Sequence, residues 1–159
     1  MPKGSVRVVS VKRRTTVLLL ILTTILIATI TLSLSGKAYA KVDPVPFREI
    51  RLLLARIGDG PTPMPLIVAL TMPMILNLLL FLPWGFLMFL ALDTSERPTL
   101  QSYLLTYLVA MGFSFAVEAS QYFLPTRVTD INDVIWNGFG ALIGAFFGHL
   151  RKRIRVSFE

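Results

Sequence analysis

Four long apolar stretches constrain this sequence more than any other feature. Residues 15–35 hold no charged residue, and about 20 such residues are needed to cross the hydrocarbon core of a membrane. A second uncharged run extends from residue 60 to residue 92, and two further apolar stretches follow at 99–124 and 131–150. Because a spanning segment in lipid must satisfy its own backbone hydrogen bonds, these stretches should form helices. The sequence therefore predicts an all-α, polytopic bundle of four transmembrane helices in a single membrane domain, residues 1–159.

The composition agrees with membrane insertion. The 159 residues are 54% hydrophobic and 16% charged, with a mean hydropathy of +0.68, which is too apolar for a soluble domain of this size. The net charge of +7 comes from Lys and Arg at both ends and in one loop, where they anchor and orient spans. Nucleic acid is therefore not an expected partner. With no cysteine and one histidine, neither a metal site nor a cofactor is expected.

The basic residues predict the orientation of the spans. The spans are placed at about 15–35, 73–92, 99–124 and 131–150. Ten Lys and Arg fall on the side of the termini (five before the first span, Arg97, and four after the last), against six on the other side. Basic residues favour the cytoplasmic side. Both termini are therefore predicted to be cytoplasmic.

The uncharged run at residues 60–92 is longer than one crossing requires. Its first part is expected to be an outer lead-in or half-helix that ends near Pro73. Pro83 and Gly85 are then expected to kink the inward helix, since proline removes a backbone donor and crowds the preceding turn.

The segment between the first two spans has two possible organisations. Phe47, Ile50, Leu53, Leu54 and Ile57 recur at helical spacing, which predicts a short helix that lies on the outer membrane surface. A loop helix packed on the bundle fits the same pattern. The basic flank, the first apolar stretch and residues 38–40 (Ala-Tyr-Ala) also resemble a signal peptide cleaved after Ala40. Both interpretations of the N-terminus leave the following residues outside the cytoplasm.

Polar residues gather near the predicted outer ends of three spans. An ionisable group inside a span costs roughly 2.5–3.5 kcal/mol on insertion scales, so it is usually kept for pairing or function. The candidates for an outward-opening polar pocket are Asn77, Glu118, Gln121, Arg127, Asp130, Asp133 and Asn137. Arg127 is expected at the rim, paired with Glu118, Asp130 or Asp133. The alternative is that these groups only hold the helices together through hydrogen bonds.

A second set of residues predicts close helix packing. Gly140, Gly144 and Gly148 form a small-xxx-small ridge on the fourth span, which lets another helix approach closely. Together with Pro83 and Gly85, they are assigned to helix packing rather than to ligand binding.

These motifs, in order, resemble the VanZ-like membrane family. The matching residues are Asn77-Leu-Leu-Leu-Phe81-Leu-Pro83-Trp-Gly85-Phe86, Glu118-x-x-Gln121, Pro125-x-Arg127-x-x-Asp130-x-x-Asp133 and Asn137-x-x-Gly140-x-x-x-Gly144. The resemblance implies a multi-pass protein of the bacterial plasma membrane. It also implies kinship with a protein that confers low-level resistance to teicoplanin, a lipoglycopeptide that acts on cell-wall precursors outside the membrane.

Three functions are consistent with these residues. The first is an envelope protein whose outer-leaflet pocket engages membrane lipids, a lipid-linked precursor or a lipoglycopeptide tail. The second is an intramembrane enzyme acting on a lipid-linked substrate, with Glu118 or Asp133 as general base and Arg127 stabilising negative charge. The third is a structural accessory subunit. The sequence favours the first, because it contains no nucleophile motif that identifies a reaction.

Overall fold

The computed structural model describes residues 13–33, 42–56, 61–94, 97–124 and 128–153. Two sequence predictions, the cleavage after Ala40 and the pairing of Arg127, lie outside the described residues. The elements are α1 (Arg13–Ser33), β1 (Val42–Asp43), α2 (Arg48–Ala55), α3 (Met64–Leu92), α4 (Thr99–Gln121), β2 (Thr129–Asp130) and α5 (Ile131–Arg153). The all-α architecture is confirmed, and the two strands are only two residues long.

Helix α3 differs from its prediction at its N-terminal end. It begins at Met64 and continues to Leu92 with Pro73 and Pro83 inside it, so the expected half-helix ending near Pro73 is wrong. The N-cap is Pro63 and a further proline occupies the first turn, where a missing N–H costs no hydrogen bond. Each internal proline removes one donor from the ladder, a loss that helices packed in a membrane tolerate. At about 1.5 Å per residue, this 29-residue helix is about 43 Å long, which exceeds the hydrocarbon core of about 30 Å.

The most extensive helix interface joins α3 to α5. Three α5 glycines face the α3 backbone. A Cβ atom on Gly144 would lie 2.6 Å from Phe86 N, one on Gly140 would lie 3.1 Å from Leu78 C, and one on Gly148 would lie 3.3 Å from Phe86 O. On α3, Gly85 makes the corresponding contact with α5: a Cβ atom on Gly85 would lie 2.6 Å from the carbonyl carbon of Ala141. The two backbones therefore touch without intervening side chains, which is the geometry that a small-xxx-small ridge permits.

Helix α1 packs on this pair through one polar contact and an apolar cluster. Trp84 Nε1 donates a hydrogen bond to Thr24 Oγ1 over 2.8 Å, which joins α3 to α1. Ile27 of α1 belongs to the buried core with Phe81, Trp84 and residues of α4 and α5. The opposite side of α1 is exposed and apolar, with Leu18, Ile21, Leu22, Ile25 and Leu26 at its surface.

The two short strands bring the loop after α1 and the loop after α4 to the same end of the bundle. They pair in parallel, with Val42 opposite Thr129 and Asp43 opposite Asp130. This end of the bundle, called the strand end below, also holds the beginnings of α3 and α5. The helices α1, α3, α4 and α5 therefore alternate in direction, as a sequence of membrane crossings would require.

Within the described residues, three helices are long and apolar enough to cross a membrane: α1, α3 and α4. These helices indicate a membrane protein. Helix α5 has 23 residues but is less apolar, because it carries Asn132, Asp133 and Asn137 in its first two turns and a basic C-terminal end. A crossing by α5 therefore stays a prediction.

The glycine contacts predict opposite effects for two equivalent substitutions. Gly144→Ala should lower the free energy of unfolding by about 1–3 kcal/mol, because the new methyl group overlaps the α3 backbone. Gly112→Ala on α4 is the control: nothing lies within 4 Å of its Cβ position, so alanine should stabilise the helix by about 0.5–1 kcal/mol. Thermal unfolding in detergent would measure both. Equal effects of the two substitutions would contradict the close packing of α3 and α5.

Candidate functional site: a polar cavity at the strand end

A cavity of about 250 Å³ lies between four helices near the strand end. Its wall is divided between apolar and polar side chains. The apolar residues are Ile27, Ile30, Pro73, Leu76, Leu80, Phe81 and Val117, and the polar ones are Thr31, Asn77, Glu118, Gln121, Asp133 and Asn137. The cavity is therefore amphiphilic: its apolar wall residues can contact hydrocarbon, and its polar wall residues can form hydrogen bonds.

Five of the seven residues predicted for the pocket line this cavity. They are Asn77 from α3, Glu118 and Gln121 from α4, and Asp133 and Asn137 from α5. The sixth, Asp130, does not line it, but its backbone N–H donates a hydrogen bond to the wall residue Glu118. The seventh, Arg127, is not among the described residues. The helix α1 also contributes to the wall, which the sequence did not indicate.

Asn77 and Asp133 join α3 to α5 beside the cavity. Asn77 Nδ2 donates a hydrogen bond to Asp133 Oδ1 over 2.5 Å. Asp133 lies in the first turn of α5, where the helix dipole stabilises a negative charge. The pair sits where the Gly140 contact brings the two backbones together, so the packing of the helices sets the geometry of this polar contact.

Glu118 is buried, with 3% of its surface exposed. Its Oε2 accepts a hydrogen bond from the backbone N–H of Asp130 over 2.9 Å, and its backbone oxygen accepts one from Thr129 Oγ1 over 3.1 Å. Both partners belong to β2. These two hydrogen bonds from β2 therefore hold Glu118 in place.

Two buried amides, Gln121 on α4 and Asn137 on α5, also line the cavity. Gln121 Nε2 donates to the backbone oxygen of Thr31 over 3.0 Å, and Asn137 Nδ2 donates to Ser114 Oγ over 2.8 Å. Among the described residues, Gln121 Oε1 and Asn137 Oδ1 have no hydrogen-bond partner. A buried polar atom left in this state costs about 1–3 kcal/mol. Because each oxygen has almost no accessible surface, these two acceptors lie behind the cavity wall and are not open to a bound molecule.

Sequence reasoning missed Asn132, which is 2% exposed. Its Oδ1 accepts a hydrogen bond from Phe47 N, and its Nδ2 donates to Val45 O over 3.1 Å and to Asp130 Oδ1 over 2.9 Å. Phe47 has a left-handed backbone conformation (φ 56°), which residues other than glycine rarely adopt. Asn132 thus ties the segment before α2 to the start of α5. Asp130 was a partial signal, because an Asp side chain often accepts a hydrogen bond from the backbone N–H two residues on, as it does here from Asn132.

Two acidic groups at the strand end, Asp130 and Glu49, have raised pKa values. Burial raises the pKa of the Asp130 carboxyl, although its hydrogen bond from the Asn132 backbone opposes this. Burial also raises the pKa of Glu49 on α2. Arg48 forms an ion pair with Asp43 at the surface. The strand end therefore carries partly buried acids whose charged form is disfavoured.

The raised pKa of Asp130 predicts a pH-dependent effect of Asp130→Asn. A carboxyl whose pKa is higher in the folded state stabilises the fold at low pH and loses that contribution as the pH rises through the folded pKa. Asparagine keeps an acceptor oxygen but cannot ionise. The melting temperature of the variant relative to the wild type should therefore be higher at pH 8 than at pH 4. A difference that is constant with pH, or larger at pH 4, would contradict this prediction.

The comparison with known proteins identifies a family for the chain. The VanZ/LLP1 family model matches residues 15–152, a range that includes nearly all of α1, the whole cavity and almost all of α5. No curated protein and no solved structure matches the chain. The match covers more than half of the sequence and confirms the resemblance drawn from the motifs. The chain therefore belongs to the VanZ/LLP1 family.

Proposed function

We propose that this protein binds the polar headgroup of a cell-envelope amphiphile in the cavity at the strand end. The observation that carries the proposal is the divided wall of the cavity, in which the half-buried polar side chains of Thr31, Asn77 and Asp133 lie beside a larger set of apolar residues. Such an arrangement suits a molecule that is polar at one end and apolar at the other. A lipid-linked envelope precursor and a lipoglycopeptide both have this character.

We further propose that α1, α3, α4 and α5 all cross a bacterial plasma membrane. The Lys and Arg residues are more numerous on the side opposite the strand end, which supports cytoplasmic termini and an outer strand end. The polar residues of α5 face the cavity or the strand pair rather than lipid, which explains how a helix of low hydropathy can cross. The cavity would then lie at the level of the outer leaflet, where teicoplanin-like molecules and cell-wall precursors are found.

Two carboxylates in one cavity favour a second candidate function. Glu118 and Asp133 both line the wall, and either could accept a proton from a bound lipid-linked substrate as a general base. The protein would then be an intramembrane enzyme. Chemical change of the bound amphiphile, rather than its retention, would distinguish this candidate from binding alone.

Ligand binding and helix packing predict different results for Gln121→Ala and Asn137→Ala. If the cavity binds an amphiphile, each variant should retain about tenfold less of it after purification, since each change alters the polar part of the wall and a loss of about 1.4 kcal/mol is a factor of about ten. The measurement is lipid extraction from the purified protein followed by mass spectrometry, at matched membrane abundance. Melting temperature in detergent is measured in parallel.

The control is Ser102→Ala, because Ser102 is buried and its Oγ has no described partner, but it does not line the cavity. It should leave the retained amphiphile unchanged. If both amide variants lose thermal stability and retain as much amphiphile as the wild type, the residues serve packing and the proposal fails.

A further inference from the structure

We infer that a second cavity, bounded by the strand pair, α4 and α5, binds an amphiphile whose polar end is an ammonium group. This cavity and the first one share a single described wall residue, Glu118. The inference goes beyond the proposed function and does not depend on it. It follows from the wall of the second cavity, the state of its carboxylates and its position on the bundle.

The wall of the second cavity is mostly apolar and carries charge of one sign. The cavity measures about 280 Å³. Five of its nine described wall residues are apolar: Val42, Pro44, Phe115, Ile131 and Val134. Three others are acidic (Asp43, Glu118 and Asp130), and none of the nine is basic. Because complementary charge favours one partner over another, this wall suits a molecule that combines an apolar part with a positive charge.

The apolar and acidic wall residues lie at different depths in the bundle. Helix α4 runs toward the strand end, and Phe115 precedes Glu118 by three residues. Helix α5 runs away from the strand end, and Val134 follows Asp130 by four residues. At about 1.5 Å per residue, both apolar residues lie about 5 Å deeper than these carboxylates. A bound amphiphile would therefore have its charged end at the strand end and its apolar end toward the middle of the bundle.

Asp130 supplies the carboxylate that an ammonium group would contact. Asp43 already forms an ion pair with Arg48, and Glu118 Oε2 accepts a hydrogen bond from the Asp130 backbone. The Asp130 side chain uses only Oδ1 for the protein, through two hydrogen bonds from Asn132. Its Oδ2 has no hydrogen bond or ion pair in the described part of the chain, and it is not one of the fully buried oxygens. Burial raises the pKa of Asp130, and a cation beside the carboxyl would lower that pKa, so binding and ionisation would favour each other.

The apolar end of the cavity reaches the outer face of α4. Phe115 is 64% exposed, and Leu108, seven residues earlier on the same face, is 54% exposed. Helix α4 is long and apolar enough to cross a membrane, so this face would contact lipid. A hydrocarbon chain that leaves the cavity beside Phe115 would therefore stay in hydrocarbon. A small inorganic cation would leave the apolar wall uncovered, which is why we assign the site to an amphiphile.

Dodecylammonium is the probe for this site, and dodecyl sulfate is its counterpart with the same chain and the opposite charge. Each is titrated into delipidated full-length protein in a neutral detergent, and binding is followed by native mass spectrometry. We expect Asp130→Asn to weaken dodecylammonium about tenfold, because the charged partner of the ammonium is lost. The same substitution should not weaken dodecyl sulfate. If Asp130→Asn leaves dodecylammonium unchanged, or weakens both probes equally, the inference is wrong.

Asp133→Asn distinguishes the second cavity from the first. Asp133 lines only the first cavity, and Asp130 lines only the second. Asp130→Asn should therefore weaken dodecylammonium more than Asp133→Asn does. The opposite order would place the cation in the first cavity, which would overturn this inference and leave the proposed function standing. Melting temperatures in detergent, measured in parallel, show whether both variants keep the fold.

Phe115→Ala tests the apolar part of the site. Leu108→Ala is the matched control, because Leu108 is an exposed apolar residue of the same helix that lines neither cavity. Phe115→Ala should weaken dodecylammonium about tenfold through lost apolar contact, and Leu108→Ala should leave it unchanged. An excess of methylammonium, which has the charge without the chain, should not displace the probe. Displacement by methylammonium, or equal binding by the two alanine variants, would overturn the assignment to an amphiphile.

Discussion

The direct contact between the backbones of α3 and α5 is the constraint on which the rest of this structure depends. Helix α5 is the least apolar of the four long helices, and it is held by glycine contacts that leave no room for side chains. In lipid, close van der Waals packing replaces the hydrophobic driving force that associates helices in water. The same contact sets Asn77 opposite Asp133 and brings Asn137 into the bundle. The packing of the two helices thus creates the polar cavity.

The side chains around the cavity include polar groups with hydrogen-bond partners and two amide oxygens without one among the described residues. Asn77 is paired across the helix interface, and Glu118 is held by the strand pair. Groups that serve only packing would be expected to find partners in this way, because an unpaired polar atom in a low-dielectric interior is costly. Gln121 and Asn137 each use the nitrogen for the protein and leave the oxygen over. Those two oxygens have almost no accessible surface, so the polar part of the wall that a ligand can reach comes from the half-buried Thr31, Asn77 and Asp133.

The helical architecture and the gathering of polar residues from three helices could be predicted from the sequence, because apolar length and helical periodicity are local properties. It did not predict that α3 continues through Pro73, since the tolerance of a helix for proline depends on its neighbours. It also missed the parallel pairing of β1 with β2, which joins segments far apart in the chain. Asn132 and Thr31 were overlooked for the same reason. Their partners, Val45 and Gln121, are distant in sequence and become neighbours only in the folded bundle.

The cavity can bind an outer-leaflet amphiphile only if it lies at the outer side of the membrane, and cysteine accessibility measures this position directly. The chain contains no cysteine, so single replacements of Val45, Thr94 and Glu159 each give one reactive site. With a membrane-impermeant maleimide on intact cells, the cysteine at position 45 should react, and those at 94 and 159 should react only after permeabilisation. This result would place the strand end outside and both α3 and α5 across the bilayer. Labelling of position 94 or 159 in intact cells would contradict the four-span topology and the outer-leaflet cavity.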